Sequence, residues 1–344
     1  MNVDLGYIEK FLLEILSIPS VPGECSVILA RLEKEFEKLE MPVTRTRKGA
    51  LIGKWEGLEE GEERLVSAHV DTLGAVVRQI KPNGRLRLLP IGGFAWASLE
   101  GENVLVRSLD GREFTGSLLP EKSSVHMFSD IVRETLRDED SMEVRLDIFS
   151  SSRKETEDLG IRPGDFVFFD PRPVITPEGF LKARFLDDKA CVAVLFGVLH
   201  ALKRDGLVPR KTVHFYLSDN EEIGHGISFI PERVGEIIAL DIGIVAEGGA
   251  SSEQHVSIAA RDSKSTYHLP LRRHLTMLAE KYNIGYRTDV YYRYGSDATA
   301  CILRGVDAAF ACFGPGVDAT HHYERTHRRA LEATAKLLMA YVIN

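Results

Sequence analysis

Between about Val76 and Pro173 the helical periodicity of this chain nearly vanishes, while on either side of that stretch helices and strands alternate. Before it, Ile8, Phe11, Leu12, Ile15 and Leu16 form the apolar stripe of a helix with one buried face. Pro19 and Pro22 end that helix, and Leu29, Leu32, Phe36 and Leu39 mark a second. Strands are expected at 51–55 and 65–68, separated by a turn over 57–61. Inside the interruption, short β-rich pieces at 86–91, 104–107, 143–148 and 165–169 lie among turn pairs such as Asn83-Gly84, Asp110-Gly111 and Pro163-Gly164. The charged run 133–141 reads as a solvated loop of the same segment. After Lys182 the alternation resumes, with helices over 189–203, 268–282, 297–303 and 324–341 and strands within 212–217, 237–246, 287–292 and 308–313. The pattern predicts one α/β domain, 1–72 with 176–344, interrupted by a β-rich, barrel-like module over 73–175.

Composition removes several classes. With 51 Asp+Glu against 43 Lys+Arg and a formal net charge of −8, the chain carries no basic stripe for a nucleic-acid partner. No apolar run approaches the roughly 18–20 residues of a membrane span. The opening Met1-Asn2-Val3-Asp4 lacks the positive flank of a signal peptide. Cys25, Cys191, Cys301 and Cys312 are scattered without a C-x-x-C pair, so neither a disulfide framework nor a sulfur-ligated zinc is expected. A cytoplasmic α/β protein is the expectation.

Five segments carry residues able to do chemistry, and all but one fall at a predicted strand end or the loop after it, where open α/β sheets gather ligands. His69 and Asp71 form an H-x-D whose side chains share one face of extended chain. Asp187 and Asp188 open an apolar helix, where capping is the simpler role. Asp219, Glu221 and Glu222 follow a buried strand, a costly crowding of like charge unless a cation compensates or the loop is solvated. Asp241 ends another apolar segment, and His321 and His322 precede the last helix; either place suits a capping or surface role when taken alone. Taken as a set, His69, Asp187, Glu222, Asp241 and His321 offer nitrogen and carboxylate oxygen without sulfur, which suits two divalent ions about 3.5–4 Å apart.

In this order, with intervals of 118, 35, 19 and 80 residues between the five donors, the chain resembles the tetrahedral dinuclear-metal aminopeptidases, a family also described as glutamyl or leucyl aminopeptidases and at times as endoglucanases. The likeness covers essentially the whole chain, including the position of the β insertion between the H-x-D strand and the Asp-Asp helix. It implies a mixed-sheet α/β/α zinc-exopeptidase-like catalytic domain with an inserted small β-barrel-like domain serving oligomerisation or access. It further implies that Asp187 bridges two divalent ions, with His69 and Asp241 completing one site and Glu222 and His321 the other. Zinc is the first expectation for both ions, with cobalt or manganese as alternatives. Glu221 then stands as general base and Asp71 as the partner that orients His69, and the Asp187–Asp188 peptide bond is implied to be cis.

The implied reaction removes N-terminal residues from peptides with free amino termini, through a hydroxide bridging the two ions. The implied assembly is a homo-oligomer, a dimer that builds a twelve-subunit tetrahedron, with no nucleic-acid or membrane partner. The sequence departs from the family pattern at Asp188, where Asn is frequent, and at Asp318–His322, which leaves His322 as a rival to His321. Ser296 and Asp297 read as a helix N-cap, and His225 is a lesser candidate for the cleft. Competing readings are a related metal-dependent amidohydrolase, such as a carboxypeptidase or deacylase, and a non-catalytic scaffold homologue. The first would carry its insertion after the glutamate pair, and the second is opposed by every central position being filled.

Overall fold

In the computed structural model, which describes residues 2–344, the strand Glu59–His69 lies between Lys211–Ser218 and Val234–Leu240 and runs parallel to both. Val234–Leu240 pairs in turn with Ala309–Asp318, again in parallel. On the other side Lys211–Ser218 pairs antiparallel with Leu51–Trp55, which pairs antiparallel with Val43–Arg45, so the sheet is mixed. The register sets Ser218 opposite His69 and Leu240 opposite Phe313. The carboxyl ends of the parallel strands therefore share one edge of the sheet, the edge that carries the acids of the sequence motifs.

Both faces of this sheet are covered. Leu65, Ile237, Ala239 and Tyr216 pack with Ala298 and Cys301 of the helix Asp297–Ile302. Val66 and Ile238, pointing the opposite way along their strands, are also fully buried. Continuous apolar strands of this kind are the pattern of a parallel sheet sandwiched between helices. The helices Leu5–Leu16 and Leu186–Asp205 pack against each other so closely that a Cβ on Gly197 would stand 2.4 Å from Ile8 Cγ1. Phe196 of the second helix meets Phe11 and Phe36 with ring centroids 5.4 and 4.8 Å away.

The chain divides into two units, Met1–Thr72 with Arg172–Asn344, and Leu73–Pro171. The second is a closed antiparallel barrel of six strands, in the order Gly74–Ile80, Leu86–Ile91, Met142–Leu146, Glu113–Pro120, Asn103–Arg107 and Phe166–Phe169. Its interior is filled by residues such as Ala75, Leu88, Val106, Leu118, Val144 and Val167, all buried.

Three local expectations change. The first central strand begins at Glu59 and runs through Gly61, because backbone pairing with residues 209–211 and 233–236 extends it across a stretch whose composition favours a turn. Glu324 lies on a short strand, Glu324–His327, paired with Phe180–Ala183, and the last helix starts only at Arg328. Val174–Ile175, expected in the inserted segment, pairs with Phe180–Ala183 and so falls in the larger unit. Among the described residues no helix is long and apolar enough to cross a membrane.

Candidate metal centre

His69 ends its strand buried, and its backbone fixes its ring. Its Nδ1 lies 3.0 Å from the Asp71 carbonyl oxygen. A carbonyl only accepts, so Nδ1 carries the proton and the lone pair of Nε2 faces the cleft. There Nε2 stands 3.1 Å from Asp187 Oδ1. The other oxygen of the same carboxylate, Oδ2, stands 3.5 Å from His321 Nε2, which is 3.6 Å from Glu222 Oε2. Ligand-capable atoms of His69, Asp187 and Asp241 lie within 4.8 Å of one another, and so do those of Asp187, Glu222 and His321. The structure thus brings together all five donors singled out in the sequence, with Asp187 common to both groups.

Local backbone explains how. Asp187 and Asp188 have non-helical φ/ψ ahead of the regular helix, and the peptide bond between them is cis. The Asp187 carboxylate faces the two histidines. Asp188, fully buried, accepts a hydrogen bond from the His69 amide at 3.2 Å and is not a member of either donor group. Glu221 and Glu222 form a single 3₁₀ turn after the strand Lys211–Ser218, ended by Gly224 at φ +81°. Glu221 Oε2 reaches to 3.9 Å from His69 Nε2.

Asp71 meets His69 with backbone and side chain, and does a second thing besides. Its carboxylate lies 3.6 Å from His69 Nδ1, farther than its own backbone carbonyl, and also accepts from the Glu221 and Glu222 amides at 3.1 and 3.0 Å. The carbonyl, two residues past the last residue of the strand, lies nearer the ring.

The remaining candidates lie outside the donor groups. His322 is exposed, and its Nδ1 accepts from the Tyr323 amide. His225 is met by Lys48, whose ammonium donates to its backbone oxygen and lies 2.7 Å from Nδ1. Ser296 caps the helix Asp297–Ile302 through the Thr299 amide. Asp297 is buried and accepts from the Ser218 hydroxyl and the Ile227 amide, tying that helix to the strand that leads into Glu221. Glu324 was missed: its buried carboxylate accepts from the Asp187 and His321 amides. The signal available was an acid three residues after His321, masked by the expectation of a helix there.

Electrostatics favour a cation. Burial, opposed by His321 and reinforced by Asp187, pushes the Glu222 carboxyl up to about 8. Burial and Asp187 push Asp241 up to about 7. Burial likewise raises Glu221 well above the usual carboxylate range, against the pull of His69. Asp187 goes the other way, since His321 and His69 outweigh its burial. Carboxylates crowded like this are relieved by positive charge between them, and imidazole with carboxylate is a donor set for divalent zinc, cobalt or manganese. Over them opens a cavity of about 490 Å³, walled beyond the donors by Ile242, Ile244, Arg293, Tyr294 and Thr320.

Comparison with known proteins follows the same lines. The family model described as M42 glutamyl aminopeptidase matches residues 49–337. YhfE of Bacillus subtilis (strain 168), named an aminopeptidase, is 44% identical over 330 residues, 96% of this chain and 95% of its own. Among solved structures, aminopeptidase APDkam598 from the archaeon Desulfurococcus kamchatkensis shares the fold with a TM-score of 0.88 at 22% identity, over 99% of this chain and 95% of that one. The Pyrococcus horikoshii TET1 peptidase, which can assemble into a tetrahedron or a large octahedral shell, does so with a TM-score of 0.84 at 22% identity, over 98% and 99%. With a family model spanning most of its length and a relative this similar from end to end, the chain belongs to the M42 glutamyl aminopeptidase family and is a peptide hydrolase.

Proposed function

We propose that this protein is a two-ion aminopeptidase that removes residues from peptides with free amino termini. His69, Asp187 and Asp241 would hold one divalent ion, and Asp187, Glu222 and His321 the other. The observation that carries the reading is the division of one carboxylate: Asp187 Oδ1 faces His69 at 3.1 Å while Oδ2 faces His321 at 3.5 Å. When bound, divalent ions supply Lewis-acid polarisation of the scissile carbonyl and lower the pKa of water.

The chain's own residues do the rest. Glu221, outside both donor groups and raised by burial, takes the proton of the attacking water and returns it to the departing amine. The Asp71 carboxylate holds the Glu221 and Glu222 amides, so base and donor keep a fixed offset. Ile242, Ile244 and Tyr294 give the cleft one apolar side, against which an apolar part of a substrate can pack.

The test is Glu221→Gln assayed with metal analysis. It is expected to lose peptide hydrolysis by about 10²-fold or more while keeping two ions per chain, whereas Asp187→Ala loses the ions as well. Retained hydrolysis in Glu221→Gln would contradict the assignment. Peptides with free and blocked N-termini separate this activity from that of a deacylase or carboxypeptidase, since only the free ones are expected to be cut. The same reading takes the chain to self-associate, as a dimer or a tetrahedral dodecamer, with the barrel unit serving assembly or access; the Pyrococcus horikoshii TET1 peptidase, of the same fold, can assemble into a tetrahedron or a large octahedral shell. Light scattering is expected to show a multiple of the 38.4 kDa chain, and a fully active monomer would refute it.

A further inference from the structure

Glu324 belongs to neither donor group, yet it touches the backbone of a residue from each end of the second one. Its side chain is 2% exposed. Oε2 accepts from the Asp187 amide at 3.0 Å and Oε1 from the His321 amide at 2.9 Å, so one carboxylate spans two segments that are far apart in sequence.

Both segments need such a partner. Asp187 precedes the regular turns of its helix and has non-helical backbone. His321 sits at φ +62° and Ala319 at φ +56°, left-handed conformations that residues with side chains avoid unless their surroundings hold them.

Glu324 is itself well anchored. It pairs with Ala183 between antiparallel strands, just upstream of Asp187. Its neighbour Tyr323 lies beneath the Arg172 and Arg184 guanidinium groups, 4.8 and 5.7 Å from the ring, and donates its hydroxyl to the Arg172 carbonyl at 2.9 Å. A rigid anchor with two acceptors thus joins the Asp187 and His321 amides.

Resting on the two-ion reading above, we propose that Glu324 is a positioning residue: it sets the spacing between Asp187 and His321 and so fixes the affinity of the ion held by Asp187, Glu222 and His321. The requirement is chemically narrow. A carboxylate offers an acceptor to each amide, whereas glutamine offers one acceptor and turns its NH₂ against the other N–H. Aspartate, shorter by one methylene, cannot span the same gap from the same strand position.

The experiment is zinc titration of the metal-free full chain against a chromophoric competitor, for wild type and Glu324→Gln, with His321→Ala used to identify which equivalent belongs to the second group. Melting of each metal-free protein is read alongside. The proposal expects Glu324→Gln to melt as wild type when metal-free and to bind the equivalent that His321→Ala loses 10- to 100-fold more weakly, the range typical of partners that orient ligands, with a smaller loss at the other equivalent, which shares only Asp187. It also expects kcat to return as zinc is raised, which a general folding defect would not give. Unchanged affinity for both equivalents overturns the proposal, as does equal weakening of the two. Fewer than two ions in the wild type overturns the two-ion reading and this proposal with it, so the two failures are told apart by the wild-type protein alone. Should the glutamine variant not fold, hydrogen exchange on metal-free wild type carries the test. Slow exchange of the Asp187 and His321 amides supports the clamp, and fast exchange at either removes it.

Discussion

The Asp71 carboxylate accepts a hydrogen bond from the Glu221 amide at 3.1 Å, and its second oxygen accepts from the next amide, Glu222, at 3.0 Å. One side chain at the end of the strand Glu59–His69 therefore fixes the turn that follows Lys211–Ser218. Asn at this position keeps the volume but has one acceptor for two N–H donors. Asp71→Asn is expected to lower kcat about 10- to 100-fold, as removal of a ligand-orienting partner does, with an unchanged circular dichroism spectrum. Activity within a factor of two of wild type would mean that the turn holds itself.

A second prediction concerns metal removal. Glu222 and Asp241 are pushed up to about 8 and about 7, by burial above all and with Asp187 adding to both. An ion that binds only the folded chain adds stability by mass action, about 2.7 kcal/mol when free metal is 100 times its Kd. Exhaustive chelation is expected to lower the melting temperature by several degrees in calorimetry, and added zinc to restore it. Identical melts with and without chelator would show that the donor groups hold no ion in solution.

What could be read from the residues follows from where the information lies. The apolar stripe of Ile8, Phe11, Leu12, Ile15 and Leu16 is a local signal, and the helix Leu5–Leu16 buries those same residues. The loss of helical periodicity after Val76 is likewise local, and the six-stranded barrel occupies that stretch. His69, Asp187, Glu222, Asp241 and His321 could be grouped because together they offer nitrogen and carboxylate oxygen without sulfur, in the order of a known family, and because all but one of their segments lie at a predicted strand end or the loop after it, where parallel strands bring such ends to a common edge. Glu324 and the second use of Asp71 were not legible in this way. Each acts through hydrogen bonds to backbone amides of distant segments, and a backbone amide has no letter in the sequence. The strand at Glu324–His327 was hidden for a related reason, since only its pairing with Phe180–Ala183 distinguishes it from the first turn of a helix.

Away from the site, Glu35 supports the helical layer. It is 2% exposed and accepts from Arg31 at 2.7 Å and from Tyr7, Lys38 and His200 at 2.9 Å each. Burial alone would raise its carboxyl, but hydrogen bonds from His200, Lys38, Arg31 and Tyr7 hold it well below the usual carboxylate range. A carboxyl depressed in the folded state contributes stability that is present above its unfolded pKa, about 4.3, and is lost as pH falls below that value. Glu35→Ala is expected to cost about 3 kcal/mol at neutral pH, because it removes the one carboxylate on which Tyr7, Arg31, Lys38 and His200 converge. Urea melts should show that gap shrinking toward pH 3. A gap that is constant with pH would mean that packing, not charge, accounts for the loss.

Gly314 lies in the strand Ala309–Asp318 directly against the backbone of Asp241, and a Cβ there would stand 2.0 Å from the Asp241 carbonyl oxygen and 2.6 Å from its carbon. The obstacle is backbone, so no side-chain rotation relieves it, and the Asp241 amide is itself bonded to the Phe313 carbonyl at 3.1 Å. Gly314→Ala must therefore displace Asp241 from its place beside His69 and Asp187. Overpacking of this kind costs about 1–3 kcal/mol, and the displacement should weaken the ion held by those three residues before the chain unfolds. Gly93→Ala, where a Cβ meets nothing within 4 Å, serves as the control and is expected to melt as wild type. Metal analysis and calorimetry on the pair decide the matter: full metal content and an unshifted melt in Gly314→Ala would mean that the two strands separate freely, and that the position of Asp241 does not depend on their close approach.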